Sequence, residues 1–237
     1  PEISEYADLK FSPATSVLHY GQSFFEGMKV YRTIDGEVQL FRPEENAKRF
    51  NVSARRMCMP EVPVDVFIES LKSLIEIDKD WVPNKDGCSL YVRPFMIATD
   101  PYVGIKPSDT YKFIIFTCPV AAYYSEPVKV KIETEYSRAV EGGTGFAKAA
   151  GNYAGALYPA KMAQEKGYGQ LIWTDAFEHK YIEEAGTMNV IFQIGDTLIT
   201  PMSSDTILAS ITRRSVIDIA RDWGYKVEER KIGRASC

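Results

Sequence analysis

The 237-residue chain has 45% apolar and 25% charged side chains and a formal charge of −4, the make-up of a globular protein able to bury one large core or two modest ones. An acidic balance without a basic patch argues against nucleic acid as a partner, although a few placed arginines suffice for a small anion. No apolar run reaches the length of a membrane span, and the acidic start does not resemble a signal peptide.

In chain order, residues 29–33 and 37–42 flank Asp35-Gly36, a strong two-residue hairpin signal. Pro43 stands where a first helical turn tolerates it, and 44–57 continues as a charged amphipathic helix. A second helix is predicted over 64–79, with Val66, Phe67, Ser70, Leu71, Leu74 and Ile75 largely on one face. Buried-type strands follow at 89–98 and 111–118, and 119–127 reads as a crossing between domains. Next come a strand over 128–134, a loop at 141–145 and a helix over 153–166 ended by Gly167. The chain closes with a strand over 171–174, a hairpin over 189–200 turning at Gly195-Asp196, a helix over 212–223 and a strand over 226–232. The pattern predicts a mixed α/β (α+β) protein: a small domain over 1–120, a linker over 121–127 and a large domain over 128–237.

Cys58, Cys88, Cys118 and Cys237 are widely spaced with no CxxC pair, which fits free thiols in a reducing cytosol. His19 and His179 show no metal-ligand spacing, so no zinc or non-haem iron centre is expected.

The informative stretch is Lys148-Ala149-Ala150-Gly151-Asn152-Tyr153, followed by Glu183-Glu184-Ala185-Gly186-Thr187-Met188-Asn189. An isolated lysine is ordinarily a solvated surface group. Here Phe146, Ala147, Ala149 and Ala150 surround it, and partial desolvation makes an amine nucleophilic. A nucleotide phosphate loop fails on spacing, because that motif needs glycine directly before the lysine and Ser or Thr directly after it. Glu183-Glu184 reads as a turn before the apolar strand at 190–192, where a carboxylate can meet a ring nitrogen. An amine that condenses with an aldehyde and a carboxylate that keeps a pyridine protonated are what a pyridoxal phosphate enzyme asks of its protein.

The segment 208–212 opens the last helix, where backbone N–H groups suit a phosphate and Thr212 adds a hydroxyl, although capping alone would explain Thr212. Arg49 in isolation reads as an arginine on an exposed helix face. Arg93 lies on an apolar strand and needs an anionic partner. Tyr20, Phe25, Tyr91 and Tyr123 read as core aromatics on their own.

Together with His19-Tyr20-Gly21-Gln22-Ser23-Phe24-Phe25-Glu26-Gly27-Met28-Lys29, Leu40-Phe41-Arg42-Pro43 and Leu90-Tyr91-Val92-Arg93-Pro94, these motifs resemble the branched-chain amino acid aminotransferases among the fold-type IV pyridoxal phosphate enzymes. The resemblance runs from about residue 6 to 232. It implies a two-domain enzyme, a cytoplasmic homodimer with neither nucleic acid nor membrane as partner, in which the domain over 128–237 binds the cofactor. The reaction implied is transamination of leucine, isoleucine or valine with 2-oxoglutarate.

By the same resemblance Lys148 carries the Schiff base and the proton, Tyr153 bonds the cofactor's phenolic oxygen, and Glu184 pairs with the pyridinium. Arg49, Ser210, Ile211 and Thr212 would hold the phosphate, with Arg138 and Thr187 also at the cofactor. Tyr20, Phe25, Tyr91 and Tyr123 would wall the side-chain pocket, and Arg93 and Thr187 would recognise carboxylates. D-amino acid transaminases and aminodeoxychorismate lyases share this fold, and the Phe24 to Lys29 and Tyr91 to Pro94 motifs argue against both.

Two departures stand out. Ser210 replaces the family's usual glycine, and the chain stops before a second Gly-Thr phosphate anchor. The latter leaves open a shortened, inactive homologue acting as a binding or regulatory protein.

Overall fold

The computed structural model describes residues 2–124 and 126–236, the side chain of residue 236 excepted. The chain divides into two compact units, Pro1–Ser125 and Glu126–Cys237. Residue 125 of the expected linker and Cys237 lie outside the described residues; Cys58, Cys88 and Cys118 are free thiols.

The first unit opens with the short helix α1 (Ser16–Tyr20), the strand β1 (Ser23–Phe25), and the hairpin of β2 (Met28–Arg32) and β3 (Val38–Leu40). The hairpin closes through three residues, Ile34-Asp35-Gly36, rather than the expected two: Arg32 faces Val38, the Thr33 N–H donates to the Glu37 carbonyl, and the Gly36 N–H donates to the Thr33 carbonyl. The helices α2 (Pro43–Arg56) and α3 (Val64–Asp78) follow, then the long pair β4 (Ser89–Ala98) and β5 (Tyr111–Val120).

β1 and β2 both run antiparallel to β4, in continuous register: Phe25 faces Phe95 and Met28 faces Val92. They form one line interrupted at Glu26-Gly27, because Pro94 opposite has no N–H to return. The Glu26 N–H still donates to the Pro94 carbonyl at 2.7 Å. Period-2 alternation therefore persists through the break. Phe24, Glu26, Met28 and Val30 face the core, while Phe25 and Gly27 share the opposite face with Tyr91 and Arg93.

α2 starts at Pro43, with Glu44 and Glu45 in its first turn and Arg55 and Arg56 in its last, both favourable to the helix dipole. It buries Ala47, Phe50 and Ala54 against the sheet. In α3 the buried stripe is Phe67, Leu71 and Ile75 at i, i+4, i+8. Val66, expected on that face, is exposed, since it lies about 100° around the helix from Phe67. Phe50 stands at the centre, its ring 4.5 Å from that of Phe24, 5.3 Å from Phe67 and 5.2 Å from Phe113.

The second unit has two small sheets. β6 (Val130–Ile132) and β7 (Gln170–Thr174) are parallel and joined by a loop and α4 (Ala150–Glu165). β8 (Tyr181–Ala185) lies antiparallel to β7. β9 (Phe192–Ile194) and β10 (Thr197–Thr200) form the hairpin at Gly195-Asp196. α5 (Ile211–Asp222) then crosses to β11 (Lys226–Glu229), which is parallel to β10. β12 (Ile232–Gly233) returns to the edge of β8, giving the sheet order β12-β8-β7-β6.

Two expectations change here. α4 begins at Ala150, so Tyr153 lies one turn inside the helix rather than opening it. Glu183 and Glu184 lie within β8 rather than in a turn before a strand. Alternation buries Glu184 and sends Glu183 to the other face.

Candidate active site

Asn152 holds the lysine loop in shape. Its amide nitrogen donates to the carbonyls of Thr144 and Ala147 at 2.8 and 2.9 Å, and its carbonyl accepts the Thr144 hydroxyl at 2.6 Å. An asparagine spent this way fixes both the loop and the first turn of α4, which explains why the helix forms earlier than the Gly-Asn pair suggests. Gly145 passes against the backbone of Thr206, where a Cβ would come within 2.8 Å of its Cα and carbonyl oxygen. Lys148 ends this loop half-buried, its Nζ 2.9 Å from the Tyr153 hydroxyl and 5.3 Å from the ring centroid.

Glu184 is 3% exposed. One oxygen accepts Arg138 Nε at 2.6 Å; the other accepts the Leu208 N–H at 2.7 Å and Asn189 Nδ2 at 3.2 Å. Burial pushes its carboxyl above the ordinary value, while the Arg138 cation, the Leu208 N–H and the Lys148 ammonium act against that push. The amine thus lies close enough for its field to reach the carboxylate. Asn189 also donates to the Leu208 carbonyl at 3.2 Å. Both partners are acceptors, so its amide orientation is settled. Glu183, on the opposite face, accepts the Thr206 hydroxyl at 2.6 Å; burial raises its carboxyl too.

Leu208 leads directly into α5. Ser210 is the N-cap, its hydroxyl accepting the Arg213 N–H at 3.0 Å, so the departure from glycine is used as a helix cap. Ile211 is buried and Thr212 exposed. Arg213 is buried and donates to Thr200 Oγ1, Ser203 Oγ, the Pro201 carbonyl and Glu229 Oε2 at 2.7–2.9 Å. It ties the helix start to the end of β10 and to β11. Thr187 is exposed in the turn after β8. In the second unit, then, Arg138, Glu184 and Asn189 link the loop that carries Lys148 to the segment leading into α5.

The remaining candidates lie in the first unit. Arg93 spans Phe25 and Tyr91: its guanidinium carbon is 4.3 Å from the Phe25 centroid, and its Nη2 donates to the Tyr91 hydroxyl at 2.8 Å. Gly27 leaves room for that hydroxyl, which a Cβ would strike. Arg49 is not on an exposed face. Its Nε and Nη2 grip the two oxygens of the fully buried Glu26 at 2.7 and 2.9 Å, and Asn46 Nδ2 adds a third donor at 2.8 Å. Tyr20 ends α1 with its ring 6.0 Å from that of His19, and Tyr123 meets Tyr124 edge-on at 4.7 Å; both are exposed.

Sequence reasoning assigned no role to Asn189, Arg213 or Glu26, and it gave the N–H groups of 208–212 to a phosphate, whereas the Leu208 N–H serves Glu184. Glu26 and Asn189 stand inside motifs singled out for other residues, and Arg213 directly follows the 208–212 segment. Glu26 meets Asn46 and Arg49, 20 and 23 residues on, and Leu208 meets Glu184, 24 residues back, so no local pattern announces them; Asn189 meets Glu184 within its own motif. Among the described residues, no group of His, Cys, Asp and Glu could hold a metal, and no helix is long and apolar enough to cross a membrane.

Comparison with known proteins finds relatives over nearly the whole chain. Branched-chain-amino-acid aminotransferase 2 of Bacillus subtilis (strain 168) is 51% identical over 235 residues, covering 98% of this chain and 65% of that protein. Branched-chain-amino-acid transaminase 1 of the same organism is 50% identical over 236 residues, covering 98% and 66%. The chain thus spans just under two thirds of these relatives' length. The crystal structure of the Escherichia coli branched-chain amino acid aminotransferase superposes with a TM-score of 0.81 at 27% identity, covering 96% of this chain and 73% of that one. That of the T.th. branched-chain amino acid aminotransferase complexed with N-(5'-phosphopyridoxyl)-L-glutamate gives 0.80 at 26%, covering 95% and 72%. The mixed α/β fold expected from the motifs is therefore the fold of these fold-type IV enzymes. Residues 23–235 match the family model of amino-transferase class IV, and the chain belongs to that family.

Proposed function

We propose that this chain forms the catalytic body of a pyridoxal 5'-phosphate-dependent aminotransferase. It would exchange amino groups between leucine, isoleucine or valine and 2-oxoglutarate, yielding branched-chain 2-oxo acids and glutamate. The observation that carries the reading is the half-buried Lys148 amine, 2.9 Å from a phenol and within the field of a buried carboxylate. The donor set fits the group. A carboxylate with three donors is held as an acceptor for a protonated ring nitrogen, and an amine beside a phenol suits an aldehyde flanked by a phenolic oxygen. Among the relatives of known structure, one has a phosphopyridoxyl-glutamate bound.

When bound, pyridoxal phosphate supplies an aldehyde that condenses with amines and a ring that takes up the electron pair left at the substrate α-carbon. Lys148 is the amine that holds the group covalently and, once freed, carries the α-proton. Tyr153, which accepts from Lys148 Nζ, orients the amine and meets the phenolic oxygen. Glu184 keeps the ring nitrogen protonated. Within the second unit the N–H groups of Ile211 and Thr212 and the hydroxyls of Ser210 and Thr212 bind the phosphate dianion, with Thr187 beside the ring and open to a carboxylate. Within the first unit Arg93 recognises substrate carboxylates, Tyr20, Phe25, Tyr91 and Tyr123 receive an aliphatic side chain, and Arg49, beside Glu26, is the further phosphate candidate. One arginine beside aromatic walls admits both an aliphatic substrate and a γ-carboxylate. We read residues 1–120 as the small domain, 121–127 as the linker and 128–237 as the cofactor domain of a cytoplasmic homodimer.

Borohydride reduction after loading with pyridoxal phosphate, followed by peptide mapping, tests the assignment. The label is expected on Lys148, and a label on any other lysine refutes it. Turnover of L-leucine, but not D-alanine or aminodeoxychorismate, is expected and separates this activity from others on the fold.

A further inference from the structure

One arginine joins three segments of the proposed site. Arg138 Nε donates to Glu184 in β8 at 2.6 Å. Its terminal nitrogens donate to the Gly145 carbonyl, in the loop that carries Lys148, at 3.1 and 3.4 Å. Nη1 also reaches the Thr206 carbonyl, in the loop that leads into α5, at 3.4 Å. Both ionic partners are withdrawn from water, with side chains 10% and 4% exposed. A planar guanidinium can serve a carboxylate on one edge and two carbonyls on the other, which a lysine ammonium cannot do in the same geometry. Removing the cation would leave a buried carboxylate uncompensated, and such a group takes up a proton.

We propose that Arg138 is a positioning residue that keeps Glu184 ionised and aimed, so that Glu184 can hold a proton on the nitrogen of a bound pyridine ring. The proposal rests on the reading of this site as a pyridoxal phosphate site. The groups around Glu184 are Arg138 and Lys148 from the segment before α4, Asn189 from the turn after β8, and the Leu208 N–H from the segment before α5. On the other face of β8, Glu183 feels Arg138 together with Asp175 and Asp205. Arg138 is the cation hydrogen-bonded directly to Glu184. Asn189 and Leu208 supply neutral donors, which orient the carboxylate without supplying a counter-charge.

The test uses the full chain in two measurements. Carbon-13 NMR of glutamate carboxyls in the cofactor-free protein, assigned by loss of the signal in Glu184→Gln, gives the titration midpoint of Glu184. Equilibrium titration with pyridoxal phosphate gives its affinity. Arg138→Met is expected to raise the midpoint by about one unit or more, and to weaken pyridoxal phosphate about tenfold or more. In the Glu184→Gln background the same substitution is expected to cost less than about threefold, because no carboxylate then needs the cation. Arg138→Lys, which retains the charge, is expected to keep the midpoint within about half a unit of wild type. An unchanged midpoint in Arg138→Met, an equal loss of affinity in both backgrounds, or a midpoint raised by a full unit in Arg138→Lys would each overturn the proposal. Borohydride labelling of wild type at Lys148 separates the two ideas. Its failure sinks the cofactor site, whereas the cofactor-free midpoint tests Arg138 alone.

Discussion

In the first unit the buried side chains gather in one apolar cluster, running from Phe24 and Val30 through Phe50 and Phe67 to Leu90 and Met96. In the second, the apolar residues form two small groups, around Ile172, Ile182 and Ile232 and around Leu171 and Trp173. Ile207, Ile211 and Ile217 are buried outside these groups, and so are the polar Glu133, Thr174, Glu184, Thr200, Thr206 and Arg213. Both units bury bonded polar groups, Glu26 with Arg49 and Asn46 in the first and Glu184 with Arg138 in the second, but only the first sets them beside one large apolar cluster. The difference suits a division of labour. An antiparallel sheet can carry Arg93 and its aromatic neighbours on one face because the other is packed. The proposed site, with its amine and its buried carboxylate, needs fixed dipoles, which an apolar core cannot supply.

The sharpest break of this comparison is Phe50→Ala. It removes the ring at the centre of the first core and is expected to cost about 3–5 kcal/mol of stability in chemical denaturation. Pyridoxal phosphate labelling of Lys148 under native conditions should survive in whatever fraction stays folded. Arg213→Met probes the polar interior. It abandons the acceptors at Pro201 and Glu229, for an expected loss of about 1–3 kcal/mol. A loss as large as that of Phe50→Ala would show that the second unit depends on one charged residue more than on its network.

Acid titration should separate one carboxyl of each unit by sign. Asp100, in the first unit, accepts from the Thr110 hydroxyl and the Asp109 and Thr110 N–H groups, which hold its carboxyl well below the usual range. A lowered folded value contributes stability above the unfolded value of about 3.9, lost as pH falls toward the folded value. Asp100→Asn should therefore narrow its deficit against wild type in thermal melts as pH falls below about 4. Glu183, in the second unit, is raised by burial, so its ionisation opposes folding above its folded value. Glu183→Gln should accordingly gain on wild type at neutral pH and lose that advantage on acidification. A shared direction for the two variants would dissolve the contrast. The smallest effect expected is that of Ser210→Gly, which removes the α5 cap for a few tenths of a kcal/mol. Melts that agree within that margin would confirm that the serine is a tolerated cap.

Much of the local structure is legible in the chain. Asp35-Gly36 fixes a hairpin because only a tight turn with positive φ closes it, and Gly36 has φ 83°. Pro43 marks the start of α2, and the apolar run of β4 is found over the same residues. What could not be read locally is which member of a polar pair is buried. Glu183-Glu184 looks like a solvated turn until β7 and β12 flank it, and Glu184 then finds Arg138, 46 residues earlier. Val66 looks as apolar as Phe67, yet the pitch of α3 turns it outward.

The sequence by itself determined the periodicities, the punctuation by glycine and proline, and the motif that sets Lys148 five residues before Tyr153. These depend on neighbours within a turn or two, where sterics and backbone hydrogen bonding act. Tertiary structure alone decided that Arg49 is locked to Glu26, that Arg138 bridges Glu184, Gly145 and Thr206, and that Arg213 is buried at the head of α5. The reason is physical. A charge is retained in an interior only when donors or acceptors from distant segments converge on it, and that convergence exists only once the chain has folded.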